Sequence, residues 1–412
     1  MRKRLSNLGA GLSFASWPTA LIGIVVIKAV LSVAVNPGSF LVSYSGISYL
    51  LLLLLATSFA IRNGIQNTLG SRPFWVFLAI ACGLWALHQS LSVYYELALQ
   101  VAVPNNSIAD PLLFLHTVPL MAAVATLPHR DLSERKLYRA ILNFLFLLFF
   151  SIFLYGYMVF PYQYLLSGAT PSSYALRFDI LYLLENVSLV LALGILTLRV
   201  QGSWKPIYFH LLGAAALYAL SSIVANLAID SGGYVNGKLY GLGLTASVCW
   251  FVWIPLRARQ AAGAEVTATR SAGSRESQSS LWAMLVVVMI SIPIVWELFQ
   301  RNENTGLRTL RLLIAVATIV CLASVAYIKE YIARRELASR VGLANDRLHL
   351  AMQAGTWVGW DLDVKSGRDL WFGDLQTIFG IPDDRHTATE EEFISYVHPD
   401  DRPRVSEALG NL

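Results

Sequence analysis

The chain has 412 residues, of which 56% are hydrophobic and only 14% are charged, and its mean hydropathy is +0.55. This composition excludes an ordinary soluble protein and indicates a membrane protein with many spans and a smaller soluble part. The formal net charge is +5. Because the basic residues lie in loops between apolar stretches and form no basic stripe with aromatic residues, this charge does not predict nucleic-acid binding.

Ten apolar stretches are predicted to cross the membrane as helices, because each is close to the length that a bilayer requires. The first follows a basic N-terminus but continues past Val35 without a small-residue cleavage site, which predicts a helix and not a signal peptide. The predicted spans are 15–35, 42–61, 74–97, 110–127, 138–160, 177–200, 205–229, 237–256, 281–299 and 308–328.

Basic residues concentrate at the N-terminus, in every second loop of this predicted bundle and after its last span. By the positive-inside rule, both termini are predicted to be cytoplasmic. The loop with Arg301, Arg308 and Arg311 breaks the pattern, so the last two spans follow the rule least well.

A long helix is predicted over 306–355, because the apolar stretch 310–328 continues into charged sequence without a Pro or Gly. Apolar residues then recur at spacings of four and three. This pattern predicts a two-stranded coiled coil, with an amphipathic helix lying on the soluble domain as the alternative. A stiff helix between a membrane block and a cytoplasmic module points to signalling. The predicted seam consists of Leu337, Val341, Ala344, Leu348 and Ala351.

The residues that follow predict a small domain of strands and short helices. Gly380 is predicted to end its first helix, and Thr389 with Glu392 forms a capping-box pattern at the start of the next. Pro399 is predicted at the first position of a further helix, with the following acidic residues in its first turn. The other predicted elements are strands at 357–363 and 368–372, a turn at 365–367 and helices at 374–379 and 389–396.

This last part of the chain resembles the first half of a PAS domain. It is similar to the subclass with a VHPDDR motif that recurs in bacterial sensor histidine kinases and cyclic-di-GMP enzymes. The family pattern continues with three long antiparallel strands that do not occur before Leu412, so a fragment or a truncated reading frame is expected. The residues that carry the resemblance are Leu348, Ala351, Gly355, Trp357, Gly359, Trp360, Asp361, Asp363, Trp371, Phe379, Gly380 and 397–402.

The predicted fold class is mainly α: a polytopic helical membrane bundle of about ten transmembrane helices, a helical linker and an incomplete α+β PAS-like domain. The membrane block is weakly similar to sensory modules that precede PAS, kinase or cyclase domains. The predicted domains are an eight-helix membrane block at 1–259, a flexible cytoplasmic linker rich in Ala, Gly, Ser and Thr at 260–280, two further transmembrane helices at 281–328, a helical signalling linker at 329–352 and the N-terminal half of a PAS domain at 353–412.

Polar side chains within the predicted spans are the candidate stimulus site, because ionisable groups in a bilayer usually face a bundle interior or a watery cavity. With the predicted topology they lie toward the outer side, which predicts a pocket that receives a small ligand or a proton. The alternative is that Glu96, Asp179, Asn226 and Glu297 lie at the interface. The candidates are His88, Glu96, His116, Asp179, Glu185, Asn186, Asn226 and Glu297.

Four aromatic residues are candidates for a PAS ligand pocket that would take a flavin or a haem, with an ordinary hydrophobic core as the favoured alternative. These are Trp357, Trp360, Trp371 and Phe372. No cofactor is evident from the sequence, and the PAS-like segment has no cysteine, which disfavours a cysteinyl-flavin photoreceptor. His398, Asp400 and Asp401 are interpreted as helix-capping residues and not as a metal or acid–base site.

Catalytic signatures are absent from the sequence: it has no Walker-type phosphate loop, no kinase histidine box, no GGDEF-type turn, and no HExxH or GxSxG motif. The cysteines stand singly in apolar runs, so their spacing predicts small core residues and neither a disulfide framework nor a metal site. They are Cys82, Cys249 and Cys321.

Two functions from different classes remain open. The first is a homodimeric membrane sensor that contacts its partner through 337–351 and whose output domain, a histidine kinase or alternatively a diguanylate cyclase, lies beyond Leu412. The second is a ten-span transporter or membrane acyltransferase with a cytoplasmic appendage. The scarcity of deep charges and the lack of paired broken helices count against the second.

Overall fold

The computed structural model divides into two units, Met1–Lys329 and Glu330–Leu412. In the part of the chain that it describes, the fold is mainly helical, and the few strands belong to the second unit. The described residues are 16–101, 103–104, 107–128, 136–165, 171–231, 233, 237–264, 305–353, 358–363, 368–380, 387–388 and 390–410.

The first unit is built from α-helices that are joined by short 3-10 and π segments. Its helices are α1 (Ser16–Ala34), α2 (Ser39–Gln66), α3 (Arg72–Val93), α4 (Ala109–Leu115), α5 (Thr117–Ala125), α6 (Lys136–Met158), α7 (Pro171–Arg199), α8 (Trp204–Asp230), α9 (Leu242–Ala264) and the beginning of α10 (Thr305–Gln353). The short segments are Thr68–Gly70, Tyr94–Ala98, Pro161–Leu165 and Leu239–Gly241.

Eight helical stretches in the described part of the chain are long and apolar enough to cross a membrane, which makes this a membrane protein. They involve α1, α2, α3 and α6 to α10 and agree with eight of the ten predicted spans. The predicted span 281–299 lies outside the described residues. Helix α9 extends to Ala264, so the predicted linker 260–280 begins as helix, and its remainder lies outside the described residues.

The segment predicted as one span at 110–127 instead forms the two short helices α4 and α5, which meet at His116. Together they cover Ala109–Ala125, which is at the short end of the range of about 17–25 residues that can cross a bilayer. Pro119 explains the interruption, because it has no N–H to donate to the carbonyl of Leu115, four residues earlier. The break places a polar pair of residues inside the bundle.

The hydrophobic core of the first unit lies among α2, α3, α7, α8 and α9, where α2 packs against α3 and α9, and α8 packs against α7 and α9. Trp75 and Tyr208 are its largest fully buried side chains. The indole of Trp75 donates to the carbonyl of Thr68 at 3.0 Å, so even its polar atom has a partner inside the protein.

Helices α8 and α9 approach closely because a glycine of each helix faces a side chain of the other. A Cβ atom on Gly213 of α8 would lie between 2.3 and 2.9 Å from three ring atoms of Trp250 on α9. A Cβ atom on Gly243 of α9 would lie 2.2 Å from Oγ of Ser221 on α8. Small residues at helix contacts are a common device of membrane bundles, because attraction between packed backbones replaces the hydrophobic effect there.

The part of α10 within the first unit packs against α6. At one end of this contact, the guanidinium carbon of Arg311 lies 5.1 Å from the ring centroid of Tyr157, and at the other end Lys329 donates to Oδ1 of Asn143 at 2.8 Å. Between these ends lies a buried apolar cluster of Phe153, Tyr157, Ala315 and Leu322.

The second unit contains the end of α10 and a small antiparallel sheet with the strand order β1-β2-β3. The pairing of β1 with β2 confirms the predicted hairpin. The helix after β2 also agrees with the prediction, because Gly380 ends it in the left-handed conformation with a φ of 70°. The elements are β1 (Val358–Asp363), β2 (Arg368–Gly373), α11 (Leu375–Phe379), β3 (Thr387–Ala388), α12 (Glu390–Tyr396) and α13 (Arg402–Gly410).

The helix predicted to begin at Pro399 begins instead at Arg402, so that part of the prediction is wrong. The N–H of Asp401 donates to the carbonyl of His398 at 2.9 Å and closes a turn, and the N–H of Val405 then donates to the carbonyl of Asp401 at 3.0 Å. The acidic residues therefore precede the helix, because the chain must first complete this turn.

Gly213→Ala is expected to destabilise the protein by about 1–3 kcal/mol, because the added methyl group overlaps the Trp250 ring. That ring is not free to move, since its Nε1 donates to Nδ1 of His210 at 3.2 Å. The measurement is the thermal unfolding midpoint of the purified protein in detergent. Gly194→Ala on α7 is the matched control, because a Cβ atom there has no neighbour within 4 Å. Equal midpoints for the two variants would contradict the proposed close contact.

Candidate functional site

The candidate site is centred on the buried carboxyl group of Glu185, which lies midway along the 29-residue helix α7. Only 6% of Glu185 is exposed. Its Oε2 atom makes a short hydrogen bond with the hydroxyl of Thr117, at the start of α5. Its Oε1 atom accepts a hydrogen bond of 3.3 Å from the hydroxyl of Ser151 on α6. Three helices thus meet at one carboxyl group.

Thr117 occupies this position because of the break between α4 and α5. Its hydroxyl also contacts the carbonyl oxygen of Phe114 at 2.8 Å. The neighbouring His116 turns Nδ1 to the carbonyl oxygen of Leu113. Because a carbonyl oxygen only accepts, this Nδ1 carries a proton. The interruption of the helix thus brings an imidazole and a hydroxyl into the interior of the bundle.

Aromatic rings close one side of the site. The indole of Trp85 lies on His116 with 4.7 Å between ring centroids, and it contacts Tyr218 with 4.6 Å between centroids. The hydroxyls of Tyr182 and Tyr218 lie 2.6 Å apart and share a hydrogen bond. All four side chains are buried. The rings therefore keep water away from this side of the site and supply its polar groups with fixed partners.

The structure buries three of the predicted candidates, and the other described candidates are half-buried. His116, Glu185 and Asn186 are buried, and the amide of Asn186 donates to the carbonyl of Tyr182 at 2.8 Å. His88 is half-buried and its Nδ1 lies 2.8 Å from the carbonyl oxygen of Ala109.

The remaining predicted candidates lie nearer the surface of the unit. Asp179 and Asn226 are half-buried and pair with each other across α7 and α8 at 2.8 Å. Glu96 is half-buried in the π segment Tyr94–Ala98. Glu297 lies outside the described residues.

A second polar cluster was not predicted from the sequence. The carboxylate of Asp110, at the start of α4, accepts hydrogen bonds from the hydroxyl of Tyr174 and, at 3.4 Å, from the amide of Gln163. The same Gln163 accepts from the hydroxyl of Tyr155. Burial is the larger cause that raises the pKa of Tyr164, and the nearby Asp110 carboxylate is the second. This phenol therefore remains protonated, and it donates to the carbonyl of Ser107 at 3.4 Å. The sequence signal that could have identified this cluster is Asp110 itself, an acidic residue at the edge of the predicted span 110–127.

Lys28 is a buried cation that the sequence analysis also missed, although a lysine inside an apolar span is itself a signal. It is 2% exposed. Its Nζ atom donates to Oγ of Ser45 on α2 at 2.9 Å and to Oγ1 of Thr245 on α9 at 2.5 Å. Among the described residues, its hydrogen bonds go to hydroxyls and not to a carboxylate. Lys28 therefore joins α1 to α2 and α9.

In the second unit, Trp371 belongs to the hydrophobic core, with ring centroids 5.7 Å from Phe379 and 5.5 Å from Phe393. Trp360 in β1 stands opposite Trp371 in the strand register. Phe372 lies in β2, and Trp357 lies outside the described residues.

The side chains of the VHPDDR motif lie on the surface of this unit. His398 and Asp400 have side-chain exposures of 70% and 90%. Arg402 donates to the carbonyls of Ser395 and Val397 at 2.9 Å each. The motif therefore connects the end of α12 to the start of α13.

Metal ligands do not cluster in the described part of the chain: no three His, Cys, Asp or Glu side chains there are placed to hold an ion. Comparison with known proteins found no match to a family model, to a curated protein or to a solved structure. The buried carboxyl of Glu185, with its two hydroxyl partners, can hold a proton.

Thr117→Val is expected to destabilise the protein by about 1–3 kcal/mol, because valine keeps the shape of the side chain but removes a buried hydroxyl that has two partners. Thr197→Val on α7 is the matched control. Its half-buried hydroxyl donates only to the carbonyl of Leu193 in its own helix, at 2.8 Å, so its loss should cost less than about 1 kcal/mol. Unfolding in detergent measures both variants. A larger loss for Thr197→Val would contradict a structural role of the Glu185 cluster.

Proposed function

We propose that this chain is the input region of a membrane-bound signal-transduction protein, in which the helical bundle receives a stimulus and α10 carries it to a cytoplasmic domain. The observation that best supports this proposal is the length of α10. Its 49 residues measure about 74 Å, more than twice the roughly 30 Å hydrocarbon core of a bilayer. A single helix of this length extends beyond the membrane and can carry a shift or a rotation along its axis.

A PAS-like domain is the cytoplasmic module in this proposal. The hairpin of β1 and β2, the short helix that ends at Gly380 and the VHPDDR motif at 397–402 occur in the order typical of that family. The Trp371 side chain supplies the core on which the sheet and helices pack. The output that the PAS-like domain would control is a histidine kinase, with a diguanylate cyclase as the alternative.

The proposed setting is a bacterial inner membrane with both termini in the cytoplasm. The distribution of Lys and Arg among the loops supports this orientation. It places Asp110 and the outer ends of α3 and α6 toward the periplasm and places the polar segment of α10 in the cytoplasm. A stimulus from outside would then reach the bundle from the side on which the Asp110 cluster lies.

A transporter is the second candidate function, and one observation favours it. The interrupted α4–α5 segment lies beside a buried carboxyl group. Interrupted helices at buried ionisable groups are typical of substrate sites in transporters. Solute-driven proton uptake by liposomes that contain the purified protein would support transport. Sensing requires no such uptake.

The seam of α10 is proposed to contact a second copy of the chain. Leu337 is 65% exposed and Val341 is 61% exposed, although both are apolar and share one helix face. We expect Leu337→Cys to form a disulfide-linked dimer in membranes, whereas Ser339→Cys, about 200° away around the helix, should form little. In intact cells a membrane-impermeant maleimide should leave Cys at either position unlabelled until the membrane is opened.

Equal cross-linking at the two positions would contradict the seam, and labelling of intact cells would contradict the cytoplasmic orientation. Because the chain has three other cysteines, Cys82, Cys249 and Cys321 are replaced by alanine in the background protein.

Signalling through α10 is tested by fusing the chain, after Gln353, to the dimerisation and catalytic regions of a histidine kinase. We expect autophosphorylation in membrane vesicles to depend on the helical phase of the joint. Two residues inserted after Arg340 should rotate the kinase by about 200° and change its activity several-fold, whereas seven inserted residues should restore it. Activity that is the same for every insertion would contradict a signal carried along the helix.

A further inference from the structure

We propose that Glu185 is a neutral carboxylic acid that binds an exchangeable proton within the membrane, and that Ser151 connects the loss of this proton to a movement of α6 against α10. The proton-binding part stands on the geometry of the site alone. The signalling role of the movement rests on the function proposed above.

The hydroxyl of Thr117 has too few hydrogens to bond both of its neighbouring oxygens. A threonine hydroxyl carries one hydrogen. Its oxygen, however, is within hydrogen-bond distance of two oxygens, the carbonyl of Phe114 at 2.8 Å and Oε2 of Glu185. If Glu185 were ionised, both oxygens could only accept, and one of these contacts would lack a hydrogen.

A proton on Oε2 of Glu185 removes this conflict. The acid then donates to the oxygen of Thr117, and Thr117 donates to the carbonyl of Phe114. The hydroxyl of Ser151 donates to the remaining oxygen, Oε1, at 3.3 Å. Every polar atom of the cluster has a partner in this arrangement, as buried polar groups require.

The surroundings of Glu185 also favour the neutral acid. A carboxylate with 6% exposure inside a bilayer needs a cationic partner, and among the described residues no Lys or Arg lies within ion-pair distance of it. Titratable side chains that pack around this region include Tyr49 on α2, His88 on α3, His116 between α4 and α5, Tyr155 on α6, Tyr182 on α7 and Tyr218 on α8.

Helix α6 links this acid to α10. Ser151 and Phe153 lie about 200° apart around the helix, so they face opposite sides. On the side of Phe153, α6 packs against Ala315 and Leu322 of α10. A Cβ atom on Gly156 would lie 3.6 Å from the side chain of Ile314, an ordinary van der Waals distance, so the side chain of Ile314 reaches α6 there.

Loss of the proton to water would leave a carboxylate that attracts both hydroxyl donors. The Ser151 contact of 3.3 Å has room to shorten, whereas Thr117 must give up its bond to Phe114 in order to donate. Shortening of the Ser151 contact moves α6 relative to α7. Because Phe153 and Tyr157 of α6 form one apolar cluster with Ala315 and Leu322 of α10, a displacement of α6 is expected to act on α10 through these side chains.

Infrared spectroscopy of the protein in lipid tests proton binding directly. We expect wild type to show the carbonyl stretching band of a protonated carboxylic acid that disappears as the buffer becomes alkaline. This band should be missing from Glu185→Gln, which keeps the shape and neutrality of the acid, and present in the matched control Glu330→Gln, an exposed carboxyl on α10. A pH-dependent band that persists unchanged in Glu185→Gln overturns the proposal.

Spin labels at Ile152 on α6 and Val320 on α10 measure the movement, because both residues are exposed on the membrane-facing surface, by 47% and 59%. In protein without its native cysteines, we expect the label-to-label distance distribution to shift between acidic and alkaline buffer. Glu185→Gln should remain in the acidic distribution, and Ser151→Ala should keep the infrared band while losing most of the shift.

A wild-type distance that does not change with pH, in protein that shows the Glu185 band, overturns the connection through α6. Neither measurement uses a kinase output. A shift without any phase dependence in the kinase fusions would therefore contradict the proposed signalling function and leave the proton site standing.

Discussion

Polar groups inside a bilayer must find their partners within the protein, and this constraint determines which helices of the bundle are neighbours. Lys28 is 2% exposed and donates to hydroxyls on α2 and α9. Glu185 is hydrogen-bonded to one hydroxyl on α5 and one on α6. The amide of Asn63 on α2 donates to the carbonyl of Pro255 in α9 at 2.8 Å. Each contact fixes one helix against others that are distant in the chain, which apolar packing alone would specify less sharply.

Helix α6 differs from its neighbours because it makes polar contacts with both α7 and α10. Ser151 reaches the carboxyl of α7, and Asn143 accepts from Lys329 of α10. Aromatic side chains fill the surface between α6 and α10. A helix that is held in this way can shift only if its neighbours shift, so a change of charge at Glu185 has a mechanical path toward the end of the membrane unit.

The second unit is small and depends on a single aromatic centre. Trp371 contacts Phe379, Phe393 and Tyr396, and Leu375 is the other fully buried side chain of this cluster. Arg402 stabilises the connection between the last two helices by binding backbone carbonyls at the end of α12. Arg402 therefore has a structural role that requires no catalytic chemistry.

The sequence by itself determined the features that depend on neighbouring residues. Apolar length predicted eight of the helices, unbroken helical sequence predicted α10, and alternating residues around a Gly-containing turn predicted the hairpin of β1 and β2. It also named Glu185 and His116 as interior candidates. Only the tertiary structure decided that Thr117 and Ser151 hold Glu185 and that Lys28 lies between α2 and α9. The partners of Glu185 lie 68 and 34 residues away in the chain, and the pairing of such residues follows from the packing of whole helices, which no local pattern records.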